Sequence, residues 1–208
     1  MRLLHWFVPS FIVPFFSSTI IHHLCGEVKK PHTGVCYFYC DFRDPEKQKS
    51  KTLVCSLISQ LCCSLGEIPS SLKSAYAKYD RSSQPTFQDL IAAFEGLLED
   101  FLQVYVVLDA LDECSSSEWP QISKFLVAIT GDECKNLHFL CTSRQEQYVE
   151  QTLKSLDITR MYLHGQNVDK DIVSYVRQIV KERDCFKRWG EARTEAIILQ
   201  LAEKAHGM

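Results

Sequence analysis

Val104-Tyr105-Val106-Val107-Leu108-Asp109-Ala110-Leu111-Asp112-Glu113-Cys114 is the stretch whose reading decides the fold. From Val104 to Leu108 the run is apolar or aromatic without polar alternation, the pattern of a strand covered on both faces. It stops at Asp109, and two more acids, Asp112 and Glu113, precede Ser115-Ser116-Ser117. An acid at the carboxyl end of a buried parallel strand stands where open α/β sheets bind their ligands. Two readings are open at this point: a metal-holding aspartate at a strand end, or a core strand followed by an acidic turn.

Upstream, Thr86 is placed to cap a helix on which Leu90, Ile91, Phe94, Leu97, Leu98 and Phe101 form one apolar stripe. Pro69 opens a helix to about Tyr79, and residues 80–85 make a polar loop. Val35 to Phe42 reads as another strand buried on both sides. Asp44-Pro45-Glu46 starts a helix on which Leu53, Leu57, Ile58 and Leu61 recur at helical spacing. Ser17 to Leu24 is a short helix with Gly26 as its stop. Downstream, Glu118 to Thr130 is helical and Asn136 to Cys141 is a buried strand ending in Thr142-Ser143-Arg144. Gln145 to Leu156 is helical, Ile158 to Leu163 is an alternating strand suited to an edge, and two helices follow over Val168–Glu182 and Glu191–Ala205. Strands alternating with helices predict an α/β fold, a mainly parallel sheet with helices on both faces.

Length and composition agree. With 208 residues, 46% of them apolar, the chain has enough material for one α/β domain with a substantial core. A net charge of −3 argues against a dedicated nucleic-acid binder. The ten cysteines are scattered through strand-like and helix-like runs, as small buried hydrophobes of a reducing compartment are, and no C-x-x-C pair marks a zinc site. His22-His23 beside Cys25 is too sparse a ligand set to predict a metal there.

Residues 1–16 differ from everything after them. Arg2 followed by an apolar stretch has the outline of a signal peptide or anchor. Pro9 and Pro14 interrupt it, no A-x-A site follows, and it falls short of the ~20 residues that a membrane span needs. A membrane-anchored or secreted chain therefore ranks last among the readings.

Several pieces carry a family resemblance in their order and spacing. They are the helix Ser17 to Leu24, Tyr37-Phe38-Tyr39-Cys40-Asp41-Phe42-Arg43-Asp44, Leu57-Ile58-Ser59-Gln60-Leu61 and Val107 to Cys114. Thr142-Ser143-Arg144, Val168-Asp169-Lys170-Asp171-Ile172 and Glu203 to Met208 complete the set. Together they resemble the NACHT-type signalling P-loop NTPases, in particular the nephrocystin-type NACHT modules of large fungal repeat proteins, over about residues 17–208. The resemblance implies a P-loop NTPase-like fold, Mg-ATP or Mg-GTP as cofactor, and protein partners or self-association. By position it implies Asp109 as the Mg²⁺-associated aspartate, with Ala110 the small residue beside it. It implies Asp112 and Glu113 as catalytic acids, Glu113 polarising an attacking water. Arg144 and Ser143 become cofactor-binding residues, Arg144 meeting the γ-phosphate with its fork of N–H donors. The residues alone also allow Arg144 as a surface charge on a loop and Asp112 as a helix-capping acid.

One part of the family pattern is missing. A phosphate cradle G-x-x-x-x-G-K-[ST] needs glycines for free amides and a lysine for charge, yet the first glycine is Gly26 and the first lysine Lys29. If Ser17 to Leu24 is the helix after that loop, Ile12-Val13-Pro14-Phe15-Phe16 occupy its last positions, and Ser17 and Ser18 fall just past the Mg²⁺-binding hydroxyl. Leu3 to Val8 either replaces the central first strand or that strand is missing, and both ends read as truncated. The expected organisation is an atypical apolar segment at 1–16, a NACHT-like core without its P-loop at 17–165, and the start of a helical region at 166–208. The expected function is a cytoplasmic fragment of a nucleotide-dependent signalling module without hydrolysis. The alternative is a non-catalytic interaction module.

Overall fold

In a computed structural model, the described residues are 3–7, 13–27, 32–66, 68–70, 72–73, 84–131, 134–156 and 158–162, with scattered positions from 174 to 200. The strands are β1 (Leu3–Phe7), β2 (Thr33–Tyr39), β3 (Gln103–Asp109), β4 (Leu137–Ser143) and β5 (Thr159–Tyr162). They form one sheet in the order β2-β3-β4-β1-β5, and every pairing is parallel. The helices are α1 (Val13–Glu27), α2 (Ser50–Leu65), α3 (Phe87–Leu98), α4 (Trp119–Thr130) and α5 (Gln147–Lys154).

The fold is therefore α/β with helices on both faces, and the two faces are unequal. Alternate strand residues Cys36, Phe38, Val104, Val106, Leu108, Phe139 and Cys141 pack in a large core with the apolar stripes of α2, α3, α4 and α5. The opposite face carries Val107 and Leu140 against Ile21 of α1, with Ile20, Leu24, Tyr37 and Tyr39 around them. β3 pairs on both sides and buries Val106, Val107 and Leu108, as its unbroken apolar run predicts.

Local chemistry sets the helix ends. Thr86 and Asp89 form a reciprocal capping box at α3, the Thr86 N–H donating to Asp89 Oδ2 at 2.8 Å and the Asp89 N–H to Thr86 Oγ1 at 3.3 Å. α2 has no cap of its own. Glu118, from the turn before α4, accepts the Ser50 N–H at 3.0 Å and the Ser50 hydroxyl at 2.5 Å in its place. Gly66, with φ of 74°, takes the left-handed conformation that ends α2.

Several sequence expectations change. The expected central strand is not missing, because Leu3–Phe7 fills an interior slot of the sheet, paired with both β4 and β5. A domain boundary drawn between residues 16 and 17 falls inside α1. That helix begins four residues earlier than read, since proline is tolerated in a first turn, and it runs through Gly26. Among the described strands β2 lies at the edge, and it is not buried on both sides, its Val35, Tyr37 and Tyr39 being only half-buried. The helix begun at Pro45 divides into a 3₁₀ turn (Pro45–Gln48) and α2, because Lys49 is extended. Most of the expected helices at 69–79, 168–182 and 191–205 lies outside the described residues. Among the described residues no helix is long and apolar enough to cross a membrane.

Candidate functional site

Parallel strands bring their carboxyl ends to one edge of the sheet, and the acids noted in the sequence collect there. Asp109, the last residue of β3, is only 4% exposed. Two hydroxyls converge on its Oδ1: that of Ser17 in α1 and that of Thr142 in β4, the latter at 2.7 Å. The same Thr142 oxygen accepts the Ala110 N–H at 3.0 Å, so one side chain fixes both the carboxylate and the backbone after it. Ala110 adopts a left-handed conformation (φ 54°, ψ 50°) that turns the chain into a 3₁₀ turn at Leu111–Glu113. Leu111 is buried beneath that turn and anchors it to the core.

Asp112 is held on two sides by one residue. Its carboxylate accepts the Arg144 backbone N–H at 2.8 Å and the Arg144 Nε–H at 2.6 Å, and the Tyr148 hydroxyl donates to its carbonyl at 3.0 Å. Glu113 spans the cleft, its Oε2 accepting the Phe42 N–H at 3.2 Å while its Oε1 lies 3.9 Å from Arg144 Nη2. A cavity of about 210 Å³ opens between these groups and the chain after β2, lined on that side by Tyr39, Cys40, Asp41, Arg43 and Lys47. Burial raises the Asp109 carboxyl above the ordinary carboxylate range; the two hydroxyl bonds oppose this, and the charge of Asp112 adds to it. The hydrogen bond to Asp112 raises the Arg144 guanidinium further above its already high value.

Asp109, Asp112, Glu113 and Arg144 all line this one cavity, but Ser143 does not. Ser143 is fully buried at the end of β4, and its hydroxyl donates to the Arg144 carbonyl at 2.8 Å. The sequence pattern puts Ser17 just past the position of a metal-binding hydroxyl. In the fold it lies directly on Asp109, because α1 starts early and carries it there. The role of Thr142 was not assigned from sequence. Its signal was alternation, since a hydroxyl two residues before Arg144 faces the same side of the strand end.

Asp109 and the Ser17 hydroxyl are hard oxygen donors of the kind that suit Mg²⁺, which takes few protein ligands and keeps its waters. Among the described residues no three His, Cys, Asp or Glu side chains come together as a metal site, so a cation here rests on one carboxylate. A phosphate cradle fits less well. With Ser17 as the closing hydroxyl of G-x-x-x-x-G-K-[ST], the glycine and lysine positions are Phe15 and Phe16, both within α1.

A parallel sheet with a buried aspartate ending an interior strand, bonded to a serine near the start of the first helix, defines a P-loop NTPase-like α/β domain. Residues 15–144 match the family model described as Nephrocystin 3, N-terminal, and the chain belongs to that family. Among solved structures it is similar to a Walker-type ATPase of Pyrococcus abyssi, at 14% identity and a TM-score of 0.46, covering 87% of this chain and 53% of that one. The chain thus spans about half the length of that ATPase. It is also similar to a chain in Drosophila ORC bound to GC-rich DNA and Cdc6, at 11% identity and a TM-score of 0.47, covering 99% of this chain and 74% of that one. No curated protein matches it.

Proposed function

We propose that the chain is a NACHT-type nucleotide-switch module by descent, retaining a weak cation site at Asp109 and lacking ATP and GTP hydrolysis. The observation that carries this reading is the contrast around Ser17. Its hydroxyl meets Asp109, yet the two residues before it are Phe15 and Phe16. Phosphoryl transfer depends on positioning and on cationic stabilisation of the phosphates, and a glycine-lysine pair supplies both. Two phenylalanines supply neither charge nor the open backbone that glycine gives. The acids fit the same reading, since Asp112 is engaged by Arg144 and Glu113 by the Phe42 amide. When bound, Mg²⁺ would add charge stabilisation at Asp109, with Ser17 the second protein oxygen beside it.

A module of this kind acts by assembling protein partners or copies of itself, in the cytoplasm. Residues 17–165 form most of its core, 1–16 now contributing β1, and 166–208 begin the helical region that follows. Incubation with Mg-ATP and Mg-GTP is expected to release no phosphate above background. Turnover that disappears in an Asp109→Ala variant would overturn the reading. Thermal unfolding with and without Mg-nucleotide separates the two descriptions of the chain, because a ligand bound only to the folded state raises the melting temperature. A rise indicates a nucleotide switch, and no rise at millimolar nucleotide indicates a pure interaction module.

A further inference from the structure

Cys40 and Cys114 lie far apart in the sequence, and the fold sets their sulfurs 3.0 Å from each other. Each residue is 5% exposed. Cys40 follows the last residue of β2, where its N–H donates to the Asp109 carbonyl at 3.0 Å. Cys114 closes the acidic turn, its N–H donating to the Leu111 carbonyl at 3.3 Å. Both backbones are thus fixed, and the sulfurs stand roughly 1 Å farther apart than the ~2.05 Å of a covalent bond. Among the described cysteines Cys40 alone lines the cavity beside Asp109, Asp112 and Arg144.

We propose that Cys40 and Cys114 form a peroxide-oxidisable thiol pair whose disulfide clamps the acidic turn to the end of β2. The Cys40 thiolate attacks one oxygen of hydrogen peroxide, giving Cys40 sulfenic acid and hydroxide, which takes up a proton as water. The Cys114 sulfur then attacks the sulfenic sulfur. The S–S bond forms, the S–O bond breaks, and the hydroxyl leaves with the Cys114 proton as a second water. Two thiols and one peroxide thus become one disulfide and two waters. The site selects a small oxidant. A cavity of about 210 Å³ admits peroxide more readily than a tripeptide disulfide. The reaction is slow, because both sulfurs are buried and peroxide reaches Cys40 only through the cavity. The product joins the end of β2 to the turn that carries Asp112 and Glu113, and it does so whether or not the site takes nucleotide.

The test uses the full chain, exposed to hydrogen peroxide, then denatured, alkylated and digested without reductant. The expected product is a peptide linking Cys40 to Cys114, two hydrogens lighter than the sum of its parts and released by dithiothreitol. The oxidised chain is expected to melt several degrees above the reduced one, and the rise is expected to be absent in Cys114→Ser. Exposed Cys55 and Cys63 serve as internal controls. If both are consumed while Cys40 and Cys114 remain alkylatable, or if Cys40 proceeds to sulfinic acid without a link, the pair is not a switch. The linked-peptide measurement needs only the unaltered chain, so it decides the matter even if the serine variant fails to fold.

Discussion

A buried carboxylate that has two hydroxyl partners and, among the described residues, no cationic one is the costliest charge in the site. Burial holds the folded-state pKa of Asp109 above the ordinary aspartate value of 3.8, so the folded protein holds this proton more tightly than the unfolded chain does. The contribution of Asp109 therefore favours folding as pH falls through the raised value towards 3.8, and it opposes folding above that window. Asp109→Asn keeps Oδ1 as acceptor for Ser17 and Thr142 and removes the charge. Its melting temperature at pH 7 is expected to exceed the parent's by a few degrees, the gap narrowing towards pH 4. A lower melting temperature at pH 7 would show that the charge itself is stabilising. Arg144→Ala is expected to act in the opposite direction. It removes the Nε–H bond to an Asp112 side chain that is only 4% exposed, but Arg144 is half-exposed and its backbone N–H bond survives. A loss of about 1–2 kcal/mol in urea unfolding is expected. Asp109 was legible in the sequence because a lone acid ended an apolar run. Ser17 was misplaced because the residues that register it in the family pattern, a glycine and a lysine, are phenylalanines here.

At the scale of elements, the edge of the sheet needs protection, and a helix supplies it. β2 pairs only with β3 among the described strands, leaving a row of outward amides and carbonyls. Gln60, on α2, covers the middle of that row. Its Oε1 accepts the Tyr37 N–H at 3.1 Å and its Nε2 donates to the Tyr37 carbonyl at 2.8 Å, as a neighbouring strand would. Gln60→Leu keeps a similar volume and leaves both backbone groups unpaired. A cost of about 1–3 kcal/mol is expected in chemical unfolding, with increased light scattering on heating. At the start of the same strand, Gly34 passes so close to α2 that an added Cβ would stand 2.7 Å from Leu61 Cδ2 and 3.0 Å from Phe101 Cε1. Gly34→Ala is expected to lose about 1–3 kcal/mol by overpacking, read from the denaturation midpoint. The order of strands and helices was legible here, because hydrophobic periodicity reports burial directly. That β2 lies at an edge was not legible, because Tyr37 and Tyr39 supply half-buried aromatic surface against the α1 side and make an edge strand read like a central one. Gln60 was visible only as a member of a motif, since its partner lies 23 residues away on another element.

For the whole molecule the sharpest question is whether residues 1–8 belong to the fold. An arginine followed by apolar residues has the outline of a leader or an anchor as well as of a strand, and pairing tells them apart. In the sheet, Leu3 to Phe7 register with Phe139 to Ser143 on one side, and Leu4 to Phe7 with Thr159 to Tyr162 on the other. β1 is thus the only described strand that β5 pairs with, and it covers the edge of β4 next to Thr142 and Ser143. Removing it strips both strands of their backbone partners, exposes an apolar edge at β4, and loosens Thr142, which holds Asp109. A chain lacking residues 1–8 is therefore expected to lose its cooperative thermal transition by circular dichroism and to elute from size exclusion as aggregate. A removable leader predicts the contrary, an unchanged melting temperature and elution volume. That contrary result would take β1 out of the sheet and leave the 16/17 boundary, drawn from composition alone, as the better description of how this chain begins its fold.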